Sequence, residues 1–135
     1  MATYNKFQAF VANIANKKHN LASDQLVVAL TNTIPTAGMV AKSELTEISY
    51  TNLSSRNITT VSSTQSGGTY KLLLSDLTLT ASGAVGPFQY VVIYNSVATG
   101  YELICWYDYG SAVTLASGDA FIVDFDGTNG LLQLA

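Results

Sequence analysis

Few residues in this chain could do chemistry, and their spacing decides what each is good for. His19 is the one histidine and Cys105 the one cysteine among 135 residues. A serine or cysteine nucleophile needs a base held beside it, and these two are far apart in the chain, with no G-x-S-x-G or H-E-x-x-H run to suggest another pairing. Cys105 stands inside an apolar stretch, 103–106, where a free thiol ordinarily packs as a small hydrophobe. A single cysteine also excludes an intrachain disulfide. His19 sits in a polar segment, which suits a capping, surface or contact histidine better than a general base.

The nine carboxylates are Asp24, Glu44, Glu47, Asp76, Glu102, Asp108, Asp119, Asp124 and Asp126. Glu44 and Glu47 are too close in the chain to oppose one another, and Asp124 and Asp126 point the same way at a strand end. The stretch Asp124-Phe125-Asp126-Gly127-Thr128-Asn129-Gly130 places oxygen ligands at alternate positions, as a calcium loop begins. The EF-hand pattern requires a glutamate at its twelfth position; here that position is Ala135. A plain β-turn is the expectation, with cation binding by the Asp124/Asp126 loop left open. Gly67-Gly68 and the 83–86 glycines lack the spacing that cradles phosphates. The sequence therefore predicts no catalytic residue, no cofactor and no resident metal: not an enzyme.

Composition narrows the rest. Hydrophobic residues make up 48% and charged residues only 11%, against about 25% charged in a typical domain. The net charge of −3, with Arg56 the sole arginine and Lys17-Lys18 the only adjacent basic pair, argues against nucleic-acid binding, which needs clustered cations. The start lacks the basic and apolar regions of a signal peptide. No apolar run approaches the roughly 20 residues that span a bilayer, so no membrane partner is expected. A chain of this length buries about 68% of its unfolded surface, enough for one domain, 1–135, without staples.

The elements follow from periodicity. Tyr4, Phe7, Phe10, Val11 and Ile14 recur at spacings of three and four, predicting an amphipathic helix over 4–16 within an N-terminal helical arm, 1–20. From residue 24 to 135 the pattern is β. Strands are expected at 25–31, 44–50, 57–63, 69–75, 77–80, 88–95, 101–109, 113–115, 121–125 and 131–134, with loops at 32–38 and 81–87 and turns at 62–68 and 126–130. About ten short strands and one helix give an all-β fold, a jelly-roll-like two-sheet sandwich or barrel, with an immunoglobulin-like sandwich as the second choice. Both faces of 88–95 and 101–109 are apolar or aromatic, more than one sheet-on-sheet core can hide. Tyr107 and Tyr109, or else Ile104 and Trp106, should meet a second surface, and that surplus points to oligomerisation. The helix stripe and the two tyrosines are thus the candidate interface: Tyr4, Phe7, Phe10, Val11, Ile14, Tyr107 and Tyr109.

The sequence resembles a family of small virion structural proteins of tailed bacteriophages. The resemblance lies in the opening Tyr4–Phe10 (YNKFQAF), in His19-Asn20-Leu21 leading into 26–35 (LVVALTNTIP), in 64–71 (TQSGGTYK), in 86–95 (GPFQYVVIYN) and in 118–127 (GDAFIVDFDG). It implies a capsid decoration, or cement, protein on the outer surface of the head. Such a protein is made in the host cytoplasm and stabilises the head by bridging subunits of the major capsid protein, often as a homotrimer. A tail- or fibre-associated component is the nearby alternative. A receptor- or carbohydrate-binding module using exposed tyrosines is a further one. On the cement reading the arm docks on the shell or a sister subunit, and removing 1–18 should abolish binding while leaving the β domain folded.

Overall fold

The computed structural model describes residues 2–134. Nine strands and one α-helix are wired in the order β1 (Thr3–Lys6), α1 (Gln8–Ala15), β2 (Leu26–Thr31), β3 (Thr60–Ser66), β4 (Thr69–Leu74), β5 (Leu77–Thr80), β6 (Val85–Asn95), β7 (Leu103–Leu115), β8 (Ala120–Val123) and β9 (Leu132–Leu134). All ladders are antiparallel. The main sheet runs β1-β7-β6-β2, and two smaller sheets, β3-β4-β9 and β5-β8, complete the body. This is an all-β, sandwich-like arrangement with one short helix, its sheets not closed into a barrel.

Alternation explains why the main sheet is covered on both sides. Along β2, Leu26, Val28 and Leu30 enter one buried cluster while Val27 and Ala29 enter another, as period-two side chains must. The larger cluster joins that first face to Leu72 and Leu74 of β4, Leu79 of β5 and Val123 of β8. Both small sheets therefore pack on the same side. The second face is roofed by the chain itself, where Ala37, Met39 and Leu45 pack over Val27, Tyr90, Val92, Leu103 and Trp106. The surface that was expected to come from a partner is thus partly supplied by a long intrachain connection.

Two irregularities in the β6–β7 ladder redirect side chains. Pairing passes from Ile93↔Cys105 to Tyr94↔Leu103, leaving Ile104 as the extra residue, so Ile104 and Cys105 both join the larger cluster. A further shift between Phe88 and Tyr90 puts Phe88 with Val91 and Ile93, although strict alternation groups it with Tyr90. One extra residue moves everything beyond it to the other face. Near the start of β6, Gly86 has φ +108 and a side-chain carbon there would lie 2.6 Å from the Val113 carbonyl oxygen. Only glycine fits that approach.

The N-terminal expectation needs correcting. Residues 3–6 are a strand, not helix, with Thr3↔Asp108 through Lys6↔Cys105 pairing along β7. The helix begins only at Gln8. Phe7 links the two: its backbone is extended and its amide N–H bonds to the Ile104 carbonyl. Phe7 is fully buried and its ring lies 4.6 Å from that of Trp106, whereas Phe10 is buried on the opposite side of the sheet. The first 20 residues are consequently part of the folded body, not a separable arm. Segment 44–50 also differs, since it makes a 3-10 turn at Lys42–Glu44 and a single bridge, Thr31↔Glu47, in place of a strand.

Candidate functional site

The histidine and cysteine are both buried, though His19 also lines a concavity of about 530 Å³. Cys105 is completely buried and that burial pushes its thiol pKa far up, so it has no thiolate to offer. Its polar neighbour is Tyr4. His19 is 8% exposed and belongs to a network with Asn95 and Asp24. The Asn95 side-chain oxygen accepts the backbone N–H groups of Val97 and Ala98, which fixes the amide's orientation. Its nitrogen then donates to Asp24 Oδ2 at 2.7 Å and faces His19 Nδ1 at 3.0 Å. Nδ1 must therefore accept, and the ring proton belongs on Nε2. Burial is the main reason the His19 pKa falls below its usual value, with Glu102 and Asp24 pulling the other way. This network ties the end of the helical segment to the end of β6.

Most carboxylates are equally committed. Glu44 accepts the N–H groups of Val40 and Ala41, which hold its pKa below the usual carboxylate range. Glu47 pairs with Lys42 at 3.4 Å and accepts the Tyr50 hydroxyl. Asp76, Asp108 and Asp119 accept backbone N–H groups of Phe125, Gly110 and Ala116. Asp126 accepts the N–H groups of Thr128 and Asn129 and the Asn129 side chain, so the 126–130 turn uses this carboxylate for its own closure. The bonds from Asn129 and Thr128 hold the Asp126 pKa below the ordinary carboxylate range. Among the described residues, no group of three or more His, Cys, Asp or Glu side chains is placed to hold a metal.

Glu102 keeps a buried Oε2 that no partner meets. Asp124 is the exposed exception, its carboxylate making neither hydrogen bond nor ion pair among the described residues. It lines two adjoining concavities, of about 380 and 460 Å³, that share Ala2, Tyr107 and Asp124. Tyr109 and Ile122 complete one; Tyr4, Asp126, Gly130 and Leu131 complete the other. Together they form a groove between the start of the chain, β7 and the stretch from β8 into the 126–130 turn. The Tyr4 and Tyr107 rings meet edge-on at 5.6 Å, Tyr107 leans on Phe125 and Tyr109 on Phe121. Buried Phe125 and half-buried Phe121 thus back the groove and fix the rings that line it. Burial raises the pKa values of all three tyrosines, and the carboxylates raise those of Tyr107 and Tyr109 further.

Of the interface residues expected from sequence, the fold gathers Tyr4, Tyr107 and Tyr109 into this groove. It does not gather the helix stripe there. Phe7 and Phe10 are core residues, Ile14 is half-buried against the larger cluster, and Val11 is 56% exposed on the helix surface. Residues missed in the sequence are Ile122, 58% exposed, and the free state of Asp124. The alternation of β8 carried that signal, since Val123 and Phe125 point in and Ile122 and Asp124 out. A second exposed aromatic, Tyr101, has an unusual φ of +51 and shares Lys42 with Tyr94. It lies apart from the groove.

The chain matches no protein-family model, no curated protein and no solved structure. Among the described residues, no helix is long and apolar enough to cross a membrane.

Proposed function

We propose that the chain is a structural component of a tailed-bacteriophage particle: a capsid decoration protein that stabilises the head by bridging subunits of the major capsid protein, as a homotrimer on the capsid surface. The observation that carries this reading is the tyrosine groove, in which exposed Tyr4 and half-buried Tyr107 and Tyr109, the latter two backed by Phe125 and Phe121, stand beside a free carboxylate. Tyrosines of this kind are typical anchors of protein contacts, because they bury much area at little cost in side-chain freedom. Repeating one modest contact around a local three-fold axis gives retention through effective concentration. The sequence resemblance to phage virion proteins supplies the identity of the partner.

The test is to mix the purified protein with decoration-free heads of its phage. Addition at a fixed ratio to capsid subunits, with a raised temperature of head disruption, supports the reading; heads that neither bind it nor gain stability overturn it. A second reading, a carbohydrate-binding module, is favoured by the same pairing of tyrosine rings with Asp124, because sugars stack on aromatic faces and donate hydroxyls to carboxylates. Glycan binding without head binding would select it.

A further inference from the structure

The groove has a charge as well as a shape. Its ionisable lining consists of Asp124 and Asp126 beside the tyrosines, with no lysine, arginine or histidine among the described lining residues. Asp126 is engaged by its own turn, and Lys71, whose charge acts on it, hydrogen-bonds the Thr128 carbonyl. Asp124 has no such engagement. Aromatic faces carry partial negative charge and attract cations centred within about 6 Å. A free carboxylate next to such faces makes a site complementary to one kind of side chain: a long aliphatic stem ending in a positive charge.

We propose that the groove seats a lysine or arginine side chain of the partner protein, its stem along Tyr107 and Tyr109 and its charged end on Asp124. This rests on the reading of the chain as a contact protein and specifies what the contact recognises. Two of the cations among the described residues are committed elsewhere. Arg56 stacks on Tyr50 at 3.6 Å and donates to the Val28 carbonyl, and Lys42 pairs with Glu47. Arginine suits the site better than lysine, since a planar guanidinium stacks on a ring while still bonding a carboxylate. Attraction of a basic segment into an acidic groove would also speed association at low salt.

The test is an NMR titration of the full chain with N-acetyl-argininamide, and with the citrulline analogue, which keeps the shape and loses the charge. Shifts centred on Tyr107, Tyr109, Ile122 and Asp124 with the arginine probe, absent with citrulline and weakened by added salt, are expected. Asp124→Asn, an exposed change that leaves the fold intact, should weaken binding about three- to five-fold, the worth of an exposed ion pair. Equal shifts with both probes, or none in the groove with arginine, overturn the proposal. So does a groove that answers to calcium or to diacetylchitobiose instead. Heads that bind the wild type while the arginine probe fails refute the groove's chemistry alone; probe binding without head binding refutes the proposed function alone.

Discussion

At the residue scale, the strongest constraint concerns His19. Two backbone N–H groups orient Asn95 so that its amide nitrogen faces His19 Nδ1. A proton on Nδ1 would set donor against donor, and the ring is buried besides. Folding therefore favours the neutral ring, which is what a depressed pKa means. The unfolded chain titrates near 6.5. Above that value both states are neutral and the contribution is complete; as pH falls below it, only the unfolded chain gains a proton and stability drains away until folded His19 titrates. The loss is at most about 1.4 kcal/mol per pH unit for one proton. Asp24 and Glu102 oppose the shift, and Lys17 and Lys18 adjoin the ring in sequence. Denaturant unfolding between pH 7 and 5 should show the decline, and His19→Gln should flatten it; an equal slope in the variant would show that other groups set the pH response. None of this was legible in the sequence, because His19 and Asn95 are 76 positions apart.

At the scale of elements, the β alternation carried far. β2 lies close to where its continuous apolar run put it, and β4 and β5 to where period-two patterning did, but the turn expected at 62–68 contracts to Gly67-Gly68 because 62–66 belong to β3. At the N-terminus the error came from counting spacing across a junction. Tyr4, Phe7 and Phe10 stand three apart, yet Tyr4 is in a strand, Phe7 at the joint and Phe10 in a helix. Strict alternation likewise failed at Ile104 and Phe88, where the β6–β7 ladder shifts, a feature that depends on the partner strand. Segment 44–50 looked like a strand because it does lie along β2, bonded at Ile48 and Thr31 without a continued ladder. The joint makes a direct prediction. Phe7→Ala removes a fully buried ring packed on Trp106 and should cost about 3–5 kcal/mol of stability, read by thermal or urea unfolding. A change below about 1 kcal/mol would mean that the N-terminal segment is an accessory after all. By the same logic, deleting 1–18 strips β1 and Phe10 from the core and should unfold the domain, not merely silence binding.

At the scale of the molecule, the excess of apolar side chains is met in two ways. One face of the main sheet is covered by the two small sheets and the other by the 37–45 connection with Phe7. What remains outward is scattered, as in Val11, Ile34, Val61 and Val97, except where exposed Tyr4 and Ile122 join half-buried Tyr107 and Tyr109 in one groove. Single exposed hydrophobes are ordinary on protein surfaces, so it is the grouping that gives the groove its meaning. The sequence supplied the tyrosines and the alternation; the folding of the 124–131 stretch against β7 supplied the grouping. Hydroxyl-radical footprinting of the protein, free and bound to decoration-free heads, tests this most directly. Loss of labelling at Tyr4, Tyr107, Tyr109 and Ile122 on binding, with Val61 and Tyr101 unchanged, is the predicted result. Bound protein whose groove labels as freely as before, while another face is shielded, would contradict it.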